Sequence, residues 1–335
     1  MTHHQLFEYH PLIAYKFIPN LKVRIPHESG GYLVQTNRMG FRSNHEFMRE
    51  RNPQKKRVLV FGDSFTAGDG VSNGKRYTDI IEKLIPSLEV YNFGVSGTGS
   101  DQHYLIWREF ARDTEHDVMV IAVLVENIRR IVARYRRYLD EEGRRVLFAK
   151  PYFVLEGDKL VLKGCPPKRE ALREDELPPE EQPYVERGGR FELIRRVINQ
   201  LGIKDFVHKL THYQPFPEYD SPDHPAWLLM KAILRQWVEE YGQKERVILM
   251  PIPLYYHIEE SCDATPYRRR FEEAAEELGV HLHDPLPDFW AYPPEVRRAF
   301  RFEKDIHPTP EGHRVLAESL KKSIEKVLGL NLSFS

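Results

Sequence analysis

The sequence predicts a three-layer α/β/α architecture around a five-stranded parallel sheet, and two observations carry the prediction. Five short apolar runs recur along the chain, and amphipathic helical patterns lie between them. Runs that are apolar on both faces suit parallel strands covered by helices. Strand–helix alternation is the mark of an α/β layer fold. The first run is Arg57-Val58-Leu59-Val60-Phe61, closed by Gly62. Leu88-Glu89-Val90-Tyr91-Asn92-Phe93 follows, then a glycine-rich turn. The strongest strand signal is Val118-Met119-Val120-Ile121-Ala122-Val123-Leu124-Val125. Val247-Ile248-Leu249-Met250 and Val280-His281-Leu282-His283 supply the last two.

Helical spacing places Tyr77, Ile80, Ile81 and Leu84 on one stripe over 75–85, and Leu105, Ile106 and Phe110 over 102–111. Phe271, Ala274, Ala275 and Leu278 turn inward over 267–278. The last helix spans about 310–327, with Val315, Leu316, Leu320 and Ile324 on one face. Pro310 suits its first turn, where a missing N–H costs nothing. Trp227, Leu228, Ile233, Leu234 and Trp237 make a further apolar helical face. It reads as core, or in an exposed part as the interface of a homodimer.

Two regions interrupt the alternation. Residues 1–56 read as an extended arm with a hairpin near Gly30-Gly31-Tyr32, not as a separate domain. The α/β core then comprises 57–128 and 226–330. Between them, 129–225 form an insertion, read as a lid, a substrate-recognition element or an interface. It carries an arginine series, Arg129, Arg130, Arg134, Arg136, Arg137, Arg144 and Arg145. One reading is a solvated helix of mixed charge. The other is an anion-binding face for a carboxylate, a phosphate or an acyl carrier bearing phosphopantetheine.

Composition excludes several classes. The 335 residues are 41% hydrophobic, enough for a large core. The 49 basic and 50 acidic side chains leave a net charge of -1, so no global field draws the chain to nucleic acid. No apolar run reaches the ~20 residues that a membrane span needs. The start, Met1-Thr2-His3-His4-Gln5, lacks the order of a secretory signal, and two cysteines build no disulfide framework. A cytoplasmic location is expected.

The chemistry-bearing residues follow the strands. Gly62-Asp63-Ser64-Phe65 comes after the first and Gly94-Val95-Ser96-Gly97-Thr98-Gly99 after the second. Asn127 comes after the third, and Asp305-Ile306-His307-Pro308 after the last. Parallel strands bring such segments to one carboxyl edge. A serine oxygen is a poor nucleophile until an imidazole takes its proton, and the two need only meet in space.

With these residues the chain resembles the SGNH (GDSL-like) hydrolase family over roughly 57–127 and 245–327. The resemblance implies a flavodoxin-like core with sheet order 2-1-3-4-5. It implies Ser64 as nucleophile, His307 as base and Asp305 as the acid behind it. It also implies an oxyanion hole made by the amides of Ser64 and Gly97 and the side chain of Asn127. The third block departs from the family's Gly-x-Asn-Asp, because Glu126 precedes Asn127 and Ile128 follows it. The acid stands two residues before the histidine instead of three. Arg129, Arg130, Thr66 and Glu126 are expected to line the substrate. No cofactor is called for.

Three functions remain open at this point. The first is hydrolysis of a small-molecule or carbohydrate ester or thioester, as by an esterase, deacetylase or thioesterase. The second is acyl transfer to a saccharide or secondary metabolite through the same serine. The third is non-enzymatic binding by a degenerate site. Single residues also have plainer readings. Ser64 would serve as a helix cap. Asp63 and Asn92 would tie down turn amides. Gly94 and Gly99 would be turn glycines chosen for backbone freedom. His313 would make a structural hydrogen bond inside the last helix. His281, His283 and Asp284 lack a clear further ligand, so no metal is assigned.

Overall fold

The computed structural model describes residues 6–139, 142, 144–186 and 214–330. The arm folds as two antiparallel hairpins where the sequence suggested one. They are β1 (Phe7–His10) with β2 (Ala14–Phe17), and β3 (Lys22–Ile25) with β4 (Tyr32–Gln35). Neither stands apart from the rest. Ile13, Tyr15, Phe41 and Phe47 join the main core cluster. Buried Arg42 donates to the carbonyls of Gly68 at 2.6 Å and Val71 at 2.8 Å, which bolts the arm to the turn after Ser64. Burial and the neighbouring Arg76 cation lower its guanidinium to about 10.

The core begins with β5 (Lys56–Phe61), α1 (Ser64–Ala67), α2 (Tyr77–Leu84) and β6 (Leu88–Asn92). α3 (Ser100–Ile106), β7 (Val118–Leu124) and α4 (Asn127–Arg130) follow. The inserted strands are β8 (Tyr135–Leu139), β9 (Arg145–Ala149), β10 (Tyr152–Glu156), β11 (Lys159–Lys163) and β12 (Leu172–Arg173). The chain then resumes the core with α5 (Pro225–Tyr241), β13 (Val247–Ile252), α6 (Thr265–Leu278), β14 (His281–Leu282) and α7 (Pro310–Leu328).

β6-β5-β7-β13-β14 form one sheet, parallel throughout, which is the expected 2-1-3-4-5 order. Every residue of β7 and β13 is buried, as strands covered on both faces must be. α2 packs on α7, while α3 and α6 pack on α5, giving two helical layers. On α5, Trp227, Met230, Ile233, Leu234 and Trp237 are fully buried, whereas Leu228 is exposed. Each such side chain contributes roughly 1.5–3 kcal/mol through burial.

Some local expectations change. The fifth strand is only two residues long, although His283 N continues the pairing to Leu249 O at 2.9 Å. The His283 ring lies between the hydroxyls of Ser319 at 3.0 Å and Ser323 at 2.8 Å. His281 bonds the carbonyl of Glu245 at 3.0 Å. Gly94 is not in the left-handed region. It is glycine because a Cβ there would stand 2.4 Å from the Ala67 amide nitrogen, where the second turn crosses the first.

The arginine series is not one solvated helix. α4 stops at Arg130, and Arg136 and Arg137 lie in β8, paired with β9. Alternation of Tyr135 and Arg137 with Arg136 and Tyr138 fits a two-faced strand. β10 and β11 form a second hairpin against α5. Residues 187–213 of the insertion lie outside the described residues.

A buried ion pair fastens the insertion to the core. Lys150 Nζ meets Asp101 Oδ2 and also donates to the carbonyl of Ala133 at 3.0 Å. Both side chains are buried. Removing one partner of such a pair strands the other charge and typically costs about 3–5 kcal/mol. Lys150→Met should lower unfolding stability by that amount in chemical denaturation. Adding Asp101→Asn should recover part of the loss. A single-variant loss below about 1 kcal/mol would mean that the pair is solvated.

Candidate active site

The site is assembled from three segments that leave the ends of β5, β6 and β7, and from the loop before α7 that carries Asp305 and His307. β5 ends at Phe61, and α1 begins at Ser64 with Asp63 as its N-cap. Asp63 Oδ1 accepts from the Phe65 amide at 3.0 Å. The second turn hangs on the first through Val95 N to Gly62 O, 3.0 Å. Asn92 steadies both, donating to Thr66 O at 2.6 Å and accepting from Gly94 N at 2.8 Å.

Ser64, His307 and Asp305 meet in a relay. The Ser64 hydroxyl lies 2.8 Å from His307 Nε2, and His307 Nδ1 lies 2.5 Å from Asp305 Oδ1. The same oxygen accepts from the His307 amide at 3.1 Å. His313 is no rival base. It accepts from Tyr77 N at 3.2 Å deep in the core, and burial lowers its ring to about 3.

Burial disfavours a charged His307, but the Asp305 hydrogen bond and the Asp69, Asp305 and Asp63 carboxylates outweigh it. The ring is therefore raised above its ordinary 6.5. Burial alone would raise Asp305. Hydrogen bonds from the His307 ring and amide and from His27 instead hold it well below the usual carboxylate range. Both directions favour a carboxylate facing an imidazole that readily accepts a proton.

Sequence reasoning missed the arm's part in this relay. His27 Nε2 lies 3.4 Å from Asp305 Oδ2. Glu28 Oε1 accepts from the amides of Lys304 at 3.0 Å and Asp305 at 3.1 Å. Asp69 was missed as well. It accepts from Ser96 Oγ at 2.6 Å, while its amide donates to the Ser64 carbonyl at 3.0 Å. No spacing signal links residues 27, 69 and 305; only the fold brings them together.

The three expected oxyanion donors share one feature. Neither the Ser64 nor the Gly97 amide donates to an acceptor among the described residues. The Asn127 side chain is fully buried, yet neither its Nδ2 nor its Oδ1 has a partner there. A buried amide left unpaired costs about 1–3 kcal/mol, which a bound oxygen would offset.

The residues expected to line the substrate separate into different roles. Arg130 corrects the expectation most clearly. Its Nη1 donates to Asp63 Oδ2 at 2.7 Å and to Thr98 O at 3.3 Å, and its Nη2 to Glu126 Oε2 at 2.8 Å. It thus stitches the first, second and third segments from within. Burial opposes its charge, but Glu126, Asp63 and Glu186 hold it protonated. Glu126, the departure beside Asn127, is neutralised by this i,i+4 pair. Thr66 also departs from its expected role. It has no exposed surface, and its hydroxyl bonds Tyr77 OH at 2.9 Å behind the site. Arg129 turns away to Glu218 Oε1 at 2.6 Å and the Pro215 carbonyl at 2.6 Å, over the Phe216 ring.

No protein-family model matches the chain, and no curated protein sequence does. Solved structures do. A lipase/acylhydrolase from Enterococcus faecalis is similar at 13% identity over 81% of this chain and 96% of its own, with a TM-score of 0.44. An acetylxylan esterase from Geobacillus stearothermophilus is similar at 17% identity over 85% and 98%, with a TM-score of 0.41. A member of the lipolytic G-D-S-L family from Veillonella parvula is similar at 14% identity over 80% and 97%, with a TM-score of 0.38. Within this chain itself, the sheet has the expected 2-1-3-4-5 order, and the Ser64 hydroxyl of the first segment meets the His307 ring of the last. No helix among the described residues is long and apolar enough to cross a membrane.

Proposed function

We propose that the protein is a serine-dependent ester hydrolase of the SGNH kind that works through an acyl-enzyme on Ser64. The observation that carries the reading is the continuous relay from Ser64 Oγ through His307 to Asp305. His307 takes the hydroxyl proton as Ser64 Oγ bonds to the acyl carbon. The carbonyl oxygen becomes negative, and the Ser64 and Gly97 amides with Asn127 Nδ2 receive it. Collapse expels the alcohol or thiol, which takes the proton back from His307. Water then repeats the sequence on the acyl-enzyme and frees Ser64. Asp305 keeps the imidazole in the tautomer that presents a lone pair to Ser64 and stabilises the imidazolium.

A degenerate binding site would be favoured by separation of Ser64 from His307, and the 2.8 Å contact gives that reading no support. Nothing in the site favours transfer to a second acceptor over transfer to water. The test is turnover of short-chain p-nitrophenyl esters by purified protein, with an Asn127 variant alongside. Asn127→Ala should lower kcat about 100- to 1,000-fold with little change in KM, as expected for a donor used mainly in the transition state. A rise in KM at unchanged kcat would instead make Asn127 a ground-state binding group.

A further inference from the structure

We infer that Arg136, supplied by the insertion, is a specificity residue that selects esters carrying an anionic group close to the scissile carbonyl. The inference rests on the ester-hydrolase reading above and names its substrate class. It starts from Gly97. This residue sits at φ +78, and a Cβ added to it would lie 2.1–2.3 Å from Cζ, Nη2 and Nη1 of Arg136. The guanidinium therefore rests on the backbone of the second turn, in space that only glycine leaves open. That turn borders the nucleophile. Its next residue, Thr98, shares Arg130 with Asp63, and its preceding residue, Ser96, holds Asp69.

Arg136 is placed firmly but is not used up. Glu186 Oε2 stands 3.5 Å from its Nε, while the other Glu186 oxygen lies 3.4 Å from Arg130 Nε, so one carboxylate is shared between two cations. Arg136 Nε is buried without a hydrogen-bond partner among the described residues. Nη1 and Nη2 make no hydrogen bond to the protein there either. The Tyr138 ring, 5.5 Å from Cζ, forms one wall. Arg129, Arg130 and Arg137, by contrast, are committed to Glu218, to Asp63 with Glu126, and to Glu174. A planar guanidinium with both terminal nitrogens open, on the turn that meets the developing oxyanion, matches a carboxylate through paired parallel hydrogen bonds. We assign that carboxylate to the acyl side of the ester, as in half-esters of short dicarboxylic acids, because the Gly97 turn is the one proposed to receive the acyl carbonyl oxygen.

The experiment compares p-nitrophenyl hydrogen glutarate with its neutral methyl diester, corrected for spontaneous hydrolysis. In Arg136→Met the ratio of kcat/KM for the anionic ester to that for the neutral one should fall at least tenfold from the wild-type value, with Arg136→Lys in between. A smaller fall overturns the assignment. A second measurement uses the unmutated protein. Glutaramate, which carries the carboxylate, should inhibit neutral-ester turnover at least tenfold more tightly than glutaramide, and closer inhibition constants overturn the assignment. Turnover of both esters with an unchanged ratio would defeat this inference alone. Failure of the unmutated protein to hydrolyse either ester, with no fluorophosphonate adduct on Ser64, would defeat the ester-hydrolase reading with it.

Discussion

Ser64→Ala should remove ester turnover almost entirely, with a loss on the order of 10⁶-fold in kcat, the scale seen when a serine acting with its base as one unit is deleted. The expectation comes from the geometry. Ser64 Oγ is the atom that faces His307 Nε2, and among the described residues no other hydroxyl bonds that nitrogen. The variant should keep its fold, because α1 is capped by the Asp63 carboxylate and not by the serine hydroxyl. Thermal unfolding within a few degrees of the parent, together with lost turnover, would confirm that chemistry and not packing was removed. Turnover within tenfold of the parent in purified protein would exclude the mechanism.

The second large effect concerns pH. His307 acts as a base only when neutral, and its pKa is raised above 6.5. In the parent, kcat/KM should therefore rise with pH through a midpoint above 6.5 and fall away below it. Asp305→Asn removes the strongest contact that raises the ring, leaving Asp69 and Asp63 to favour the charged form. The midpoint should move to lower pH, and the plateau should drop about 10⁴-fold as the tautomer is lost. Asp305→Ala should still cost less than His307→Ala, since a backbone carbonyl or water partly orients the ring. An unmoved midpoint in Asp305→Asn would mean that the carboxylate of another residue, Asp69 first among them, governs His307.

Much of this was legible because α/β folds write their core in continuous apolar runs. β5, β7 and β13 are buried on both faces, and their sequences carry no polar interruption between Val58 and Phe61, Val118 and Leu124, or Val247 and Ile252. The site residues were legible for a related reason. Parallel strands send their carboxyl ends to one edge, so the segments carrying Ser64, Gly97 and Asn127 were expected together from strand order, whereas His307 lies well past β14, and the fold brings it to Ser64.

What failed to show in the sequence was set by long-range partners. Charge spacing gave no hint that Arg130 would turn inward, because Asp63 is 67 residues away. Glu126 was expected to line the substrate, yet that same arginine holds its carboxylate. Arg136 and Arg137 read as a helix face because strand pairing with Phe148 and Leu147 lies beyond any local window. Thr66 follows the nucleophile by two residues in a polar run, where exposure would be the ordinary expectation, yet in α1 its hydroxyl bonds the Tyr77 hydroxyl in the core. The arm carried no motif at all, although His27 and Glu28 contact the loop that carries Asp305.

In the proposed mechanism, Ser64 is a nucleophile activated by His307. A fluorophosphonate probe tests it most directly, because the probe forms a stable bond only with a serine whose oxygen has been made reactive. Purified protein should take up one probe per chain, peptide mapping should place the adduct on Ser64, and His307→Ala should abolish the labelling. An unlabelled native protein, or an adduct on any residue other than Ser64, would contradict the account.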